Sequence, residues 1–338
     1  MEKVLSLIIP TYNMEKYLKK CLDSLIVENM DLLEVLVVND GSKDNSSKIA
    51  HEYEEKYPNT FRVIDKENGN YGSCINRGLA EAKGKYVKVL DADDCFDVNN
   101  FNKYLSFLQE NDVDLVLNDF LVVDENDCPK YVHRYNLKAF EILNFYQMFI
   151  NEEIKFSLQM HGVAYKRENL LALNYKQTEG ISYTDQEWVF TPMTKVKTGI
   201  YFDKIIYKYL VGRSGQTVEK AIIKKHSNQL GIVISSLLDK YKENKCFEYD
   251  SYFFNQLNTQ MYIYPKGLLE DSFDLETLKM LDKKIKEKCP KLYYITGDIS
   301  SCRIKYIHYW RSHNYEELPL YIKLTIKVRE YIKKTCRF

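Results

Sequence analysis

The stretch Lys85–Phe96, KYVKVLDADDCF, decides the reading of the fold. Tyr86, Val87, Val89 and Leu90 favour a strand, with Lys88 interrupting them. That strand then delivers Asp91, Asp93 and Asp94 into a loop. Carboxylates gathered at a strand end suit a hard divalent cation, which takes oxygen ligands and commonly holds a phosphate as well. A solvated acidic turn is the alternative, so the neighbouring segments have to decide.

Upstream, Leu5–Ile9 and Leu33–Val38 are continuous apolar runs, as expected of strands buried on both faces, and Phe61–Ile64 is a third strand. Tyr17, Leu18, Cys21, Leu22, Leu25 and Ile26 repeat at helical spacing. A second helix, capped by Ser42 or Asp44, runs towards Tyr57 and stops at Pro58, and a third ends near Ala82 before Gly84. The alternation of strand and helix predicts a parallel sheet with helices on both faces. Its carboxyl edge would collect PTYN, NDGS, KENGNYG and DADD, which is where ligands bind in such sheets.

Downstream the spacing predicts a helix over Phe101–Leu108, a strand over Val113–Leu117, a turn at Asp124–Asp127 and a helix over Phe140–Ile150. Val163–Tyr165 is strand-like, Trp188, Val189 and Pro192 suggest a short buried helix, and Ile200–Val211 favours strand. From about Glu219 helical periodicity takes over, through Ile222, Leu230, Ile234 and Leu238 and again over Leu275–Ile285. This places a catalytic-type domain at 1–218 and a helical region at 219–338, with an acceptor, oligomer or membrane-surface role for the latter.

Composition sets the class. The 338 residues hold 45% hydrophobic and 28% charged side chains, an ordinary globular balance, and 48 basic residues match 48 acidic ones. No global field favours nucleic acid. Eight scattered cysteines without a CxxC pair give neither a zinc cluster nor a disulfide framework, and they suit a reducing compartment. The absence of a signal-like leader, and of any apolar run near the ~18 residues of a membrane span, leads to the expectation of a cytoplasmic chain. The basic amphipathic stretch Leu318–Phe338 is read as a peripheral contact with the inner face of an anionic membrane, with packing on the protein or a homo-oligomer contact as alternatives.

In combination, SLIIPTYN (Ser6–Asn13), VNDGSKDNS (Val38–Ser46), NGNYGSCINRGL (Asn68–Leu79), GKYVKVLDADD (Gly84–Asp94) and YTDQEW (Tyr183–Trp188) resemble the family 2 glycosyltransferases of bacteria. The resemblance covers about the first two thirds of the chain. It implies a GT-A, Rossmann-like α/β domain with a mainly parallel sheet, a UDP-sugar donor and an inverting transfer to a saccharide, lipid-linked or polymer acceptor in cell-surface polysaccharide or glycoconjugate synthesis.

Residue by residue, the resemblance gives Asp40 the uracil edge, where a carboxylate accepts the N3 hydrogen; capping the next helix is the alternative. Pro10, Thr11 and Tyr12 flank the base, with Tyr12 either stacked on it or at the core edge. Lys66, Asn68 and Gly69 close over the uridine, although Asn68-Gly69 is also a strong turn former. Asp91 and Ala92 contact the nucleotide-sugar, Asp93 with Asp91 ligates Mn²⁺ or Mg²⁺, and Asp94 supports them. Asp185 is implied as catalytic base, with helix capping as its other role. Arg213, in YLVGRSGQTV, is a candidate for the diphosphate, and His161, in QMHGVAY, for orienting acceptor or donor; a surface arginine and a structural histidine are their alternatives. Two positions depart from the family pattern: Ile75 precedes Asn76 where an arginine is common, and Thr184 precedes Asp185 where a glutamate is usual. A nucleotide-sugar pyrophosphorylase, or a non-catalytic binding protein on a decayed transferase fold, are the competing functions.

Overall fold

Four parallel strands build the first half of the sheet in the computed structural model of the chain, which describes residues 2–151, 153, 156–217, 219–243, 250–297 and 305–325. They are β1 (Leu5–Thr11), β2 (Leu33–Asn39), β3 (Phe61–Asp65) and β4 (Tyr86–Val89), in the order β3-β2-β1-β4. The connecting helices are α1 (Leu18–Asp23), α2 (Ser46–Lys56) and α3 (Asn70–Glu81). Every residue of β2 is buried, and all of β1 except Pro10, which explains their unbroken apolar sequence. Because Leu5–Thr11 pairs in register with Leu33–Asn39, and Val35–Asn39 with Phe61–Asp65, the loops after these strands open on one edge.

The second half is mixed. It comprises β5 (Cys95–Phe96), α4 (Val98–Glu110), β6 (Leu115–Val123), β7 (Pro129–His133), β8 (Ile142–Asn144), α5 (Phe145–Ile150), β9 (Val163–Lys166), α6 (Arg167–Ala172), α7 (Asp185–Trp188) and β10 (Thr198–Leu210). The ten-stranded sheet continues from β4 through β9, β6 and β10 to β5. β9 runs antiparallel between β4 and β6, β10 runs parallel to β6, and β5 and β8 pair antiparallel with β10. Parallel pairing therefore dominates only the amino-terminal half. The shared core joins Leu5, Leu7, Ile9, Val35 and Val37 to Phe96, Phe101, Tyr104, Ile200 and Tyr207. Each such aliphatic side chain contributes about 1.5–3 kcal/mol on burial.

Two local expectations are corrected and a third is narrowed. The helix expected at Phe140–Ile150 is confined to Phe145–Ile150; Phe140 has φ 60°, and Ile142–Asn144 pairs with β10 instead. Asn144 then caps α5 by accepting from Gln147 N. Helix α1 stops at Asp23, where Ser24 Oγ donates to Cys21 O and accepts from Phe96 N. Of the two caps offered for α2, Asp44 serves, accepting from Ser46 N at the helix start and also from Glu15 N, whereas Ser42 Oγ accepts from Asn13 N instead.

The chain divides into two compact units, residues 1–216 with 247–251, and residues 217–246 with 252–338. The second unit is helical, with α8 (Lys220–Lys225), α9 (Ser227–Glu243), α10 (Asp250–Thr259, its first turn grouped with the first unit), α11 (Ile263–Leu268), α12 (Leu275–Lys288), α13 (Pro290–Gly297) and α14 (Lys305–Ser312). Asp282, fully buried on α12, accepts from Arg311, Tyr264 Oη and Tyr315 Oη, and Arg311 also donates to Tyr293 O and Thr296 Oγ1. One buried ion pair thereby joins α11, α12, α13 and α14. No described helix is long and apolar enough to cross a membrane. Of the basic stretch 318–338, residues 320–325 are helical and 326–338 lie outside the described residues.

Candidate active site

The ends of β1, β2 and β3 form one corner of the site. Asp40, 3% exposed, accepts through Oδ1 from Lys66 Nζ at 2.6 Å and Gly69 N at 2.9 Å, and through Oδ2 from Asn68 Nδ2 at 3.0 Å. The four residues singled out around Asp40 are thus one hydrogen-bonded cluster. Lys66 Nζ also donates to Ser73 Oγ and Glu67 O, which fixes the ammonium with three acceptors. Gly41 follows at φ +73°, a left-handed turn that leaves Asp40 aimed into the loop. Thr11 O accepts from Asp40 N, Pro10 is partly buried, and the Tyr12 ring is 46% exposed.

The acidic loop after β4 forms the next part. Ala92 is buried, and Asp94 N donates to Asp91 O, closing a tight turn. Both oxygens of Asp94 accept a hydrogen bond: Tyr207 Oη donates to its Oδ2 at 2.6 Å and Leu210 N to its Oδ1 at 2.7 Å. Asp91 accepts from Tyr71 Oη at 3.0 Å. Burial, then the Asp93 charge beside it, raise the Asp91 pKa to about 7, and burial raises that of Asp94 too. Asp93 accepts from Arg213 Nε at 2.5 Å, and the guanidinium lies 5.5 Å from the Tyr17 ring centroid.

A carboxylate oxygen of Asp91, one of Asp94 and a ring nitrogen of His161 fall within 4.8 Å of one another. His161 is stacked on Tyr209, its Nδ1 has no hydrogen-bond partner among the described residues, and burial, followed by the Lys88 and His133 charges, pushes its pKa down to about 3. The donor chemistry of this loop fits a hard divalent cation. Burial first, and repulsion between the carboxylates second, favour the protonated forms of Asp91 and Asp94, and the Arg213 guanidinium offsets the charge of Asp93.

Asp185 opens the single turn α7. Burial raises its pKa to about 6 against the hydrogen bond that Gln186 Nε2 donates at 2.9 Å. Its charge is among those that raise Asp91, so the two carboxylates share one electrostatic environment. Tyr183, just before it, is held at φ 68°, a conformation costly for a bulky side chain. The fully buried Glu187 accepts from Thr178 N at 2.7 Å and Thr178 Oγ1 at 3.0 Å.

Local pattern gave no hint of Tyr71, Tyr207 or Glu187. Lys88 is wholly buried and donates to Asn118 Oδ1, His161 O and Val163 O at 2.8–3.1 Å, and burial lowers its pKa. Its interruption of an apolar strand was the available signal. Tyr71 and Glu187 lie inside the quoted motifs KENGNYG and YTDQEW, and their partners come from distant segments.

The model of glycosyl transferase family 2 matches residues 6–171. The uncharacterized glycosyltransferase YibD of Escherichia coli K12 is 29% identical over 210 residues, covering 61% of this chain and 60% of that protein. The minor teichoic acid biosynthesis protein GgaB of Bacillus subtilis 168 is 38% identical over 115 residues, covering 33% of this chain and 13% of that protein. The aligned part thus spans about three fifths of the first relative's length and far less of the second. Among solved structures, S. aureus TarS 1–349 in complex with UDP-GlcNAc superposes with a TM-score of 0.64 at 20% identity, covering 92% of this chain and 89% of that one, a likeness of fold.

Proposed function

We propose that the chain, a member of glycosyl transferase family 2, moves a sugar from a UDP-sugar to an acceptor hydroxyl with inversion at the anomeric carbon. The observation that carries the reading is the convergence of an acidic loop, Asp91–Asp94, with a separate carboxylate, Asp185, whose pKa is raised to about 6. A carboxylate poised near neutrality is suited to take a proton from an alcohol in the transition state. As the acceptor oxygen bonds to the anomeric carbon, the carbon–phosphate oxygen bond breaks, UDP leaves, and the hydroxyl proton passes to Asp185. One displacement needs no covalent enzyme intermediate.

Asp40, Lys66, Asn68 and Gly69 would hold the uracil edge, with Pro10, Thr11 and Tyr12 flanking the base. Three protein donors occupy Asp40, leaving acceptor capacity for one more hydrogen. Asp91 and Asp93 would hold Mn²⁺ or Mg²⁺, which supplies charge stabilisation to the departing diphosphate. Arg213 would then pair with the diphosphate in place of Asp93, with Ala92 lining the sugar side. The UDP-GlcNAc of the TarS complex supports a UDP donor, and the teichoic acid role in the GgaB name supports a surface glycopolymer as acceptor. Peripheral membrane contact through the basic stretch from Leu318 belongs to the same reading, and loss of anionic-vesicle sedimentation on deleting 319–338 tests it.

The central test is a screen of UDP-sugars for Mn²⁺-dependent hydrolysis and transfer, with the product anomer read by NMR. Failure to bind UDP and to turn over any donor sinks the transferase reading; a retained anomer sinks the single displacement.

A further inference from the structure

We infer that Glu187 is a positioning residue that fixes the Asp185 base relative to the nucleoside loop, acting through the strap 176–180. The inference rests on the transferase reading above. Helix α7 is a single turn, too short to hold itself, and Thr184 gives it no side-chain cap. Its placement is therefore set by what its side chains grip. Glu187 is the fully buried grip: both carboxylate oxygens close on Thr178, one on its N–H and one on its hydroxyl. A buried carboxylate is tolerated only when so satisfied.

The opposite side of the strap is stitched to α3 and the turn before it. Asn76 Nδ2 donates to Gln177 O at 2.9 Å and Glu179 Oε1 at 2.8 Å, and its Oδ1 accepts from Gln177 N at 2.8 Å. Gly180 N donates to Gly69 O at 2.8 Å. Thr178 O passes so close to Gly72 that a Cβ there would lie 2.1 Å away. Gly69 is itself a donor to Asp40. A set of contacts thus runs from Asp40 through Gly69 to Gly180 and, along the strap, from Thr178 to Glu187, two residues from the base. Ordering the nucleoside loop around a bound uridine fixes the strap, and the strap fixes Asp185. The base would reach its working position when donor is present.

The experiment compares wild type, Glu187→Leu, Glu187→Gln and Asn76→Ala for UDP affinity, donor hydrolysis, transfer and the pH dependence of kcat. Glutamine can accept from Thr178 N and donate to Thr178 Oγ1, so it preserves the grip without the charge. Glu187→Leu is expected to keep UDP affinity within about twofold while the ratio of transfer to hydrolysis falls at least about tenfold, as displaced catalytic groups do. Its acid limb should also move away from that of wild type, and Glu187→Gln should restore both. An unchanged ratio in Glu187→Leu overturns the inference, as does a Glu187→Gln enzyme as impaired as the leucine variant. If Glu187→Leu does not fold, Asn76→Ala decides: a fall in the same ratio supports the strap and an unchanged ratio overturns it. Wild type without UDP-sugar turnover would fail the transferase reading itself; an active wild type with indifferent variants fails only the strap.

Discussion

Arg213 donates from Nε to Asp93 Oδ2 at 2.5 Å, so the acidic loop carries a cation from its own chain. Both side chains are largely shielded, at 13% and 10% exposure, which strengthens the pair relative to a surface one. Arg213→Ala frees Asp93 and is expected to tighten Mn²⁺ binding without nucleotide by about tenfold, the scale of one charge-assisted hydrogen bond. The same change should lower donor turnover by roughly a hundredfold, because a cation on the leaving group is lost. Mn²⁺ titration by EPR and steady-state turnover check the two effects.

Asp185→Asn is expected to leave UDP affinity nearly intact and cut transfer by about 10²–10⁴-fold. In wild type kcat should rise with pH through about 6, as the base loses its proton, and the residual rate of the variant should lack that limb.

The stability consequence of the same group has a definite sign. Its folded pKa, about 6, lies above the ordinary 3.8, so the folded state holds this proton more tightly. The stabilisation is complete below 3.8 and is lost as pH rises through about 6. Asp185→Asn should therefore raise Tm at pH 8 and leave it little changed at pH 4, as read by calorimetry.

Lys88→Met keeps the bulk of the side chain but removes its three donated hydrogen bonds. Asn118 Oδ1, His161 O and Val163 O lose that donor in a buried setting. A loss of about 3 kcal/mol is expected from urea unfolding, the scale of buried acceptors left without a donor. His161 O would keep only the 3.4 Å bond from Asn118 Nδ2, so His161 should become less ordered, visible as a shifted imidazole resonance.

In the helical unit, Asp282→Ala strands the Arg311 guanidinium, whose side chain is 8% exposed. The expected loss is about 4 kcal/mol, and Arg311→Met in the same background should recover part of it, since an apolar pair costs less than one orphaned charge. Circular dichroism melts of the single and double variants give the comparison.

Much of this arrangement was legible in sequence because it follows from pattern. Buried parallel strands show as unbroken apolar runs, and the polar residues that end them must meet at one edge, as Thr11, Asp40, Lys66 and Asp91 do. The illegible part is what depends on contacts between distant segments. Ser42 looks like a helix cap locally, yet it bonds Asn13 across the neighbouring loop, and Asp44 reaches Glu15 there as well as Ser46 N at the helix start. Ile142 reads as helix, but Phe140 N donates to Tyr201 O and the chain joins β10 at the sheet edge. Lys88 reads only as an interruption of a strand, and three acceptors from β6 and the β9 region hold it in the interior. Local propensity weighs less than such tertiary partners.

The approach of Thr178 O to Gly72 bears on how segments can be exchanged in this scaffold. A chimera that grafts residues 176–188 from a relative brings a new backbone path against an unchanged α3. If that path runs closer, hydrogen cannot be trimmed from a glycine; if it runs wider, Asn76 loses its bonds to Gln177 and Glu179. Residues 68–76 and 176–188 therefore form one exchangeable cassette, and libraries built on this chain should transplant them together.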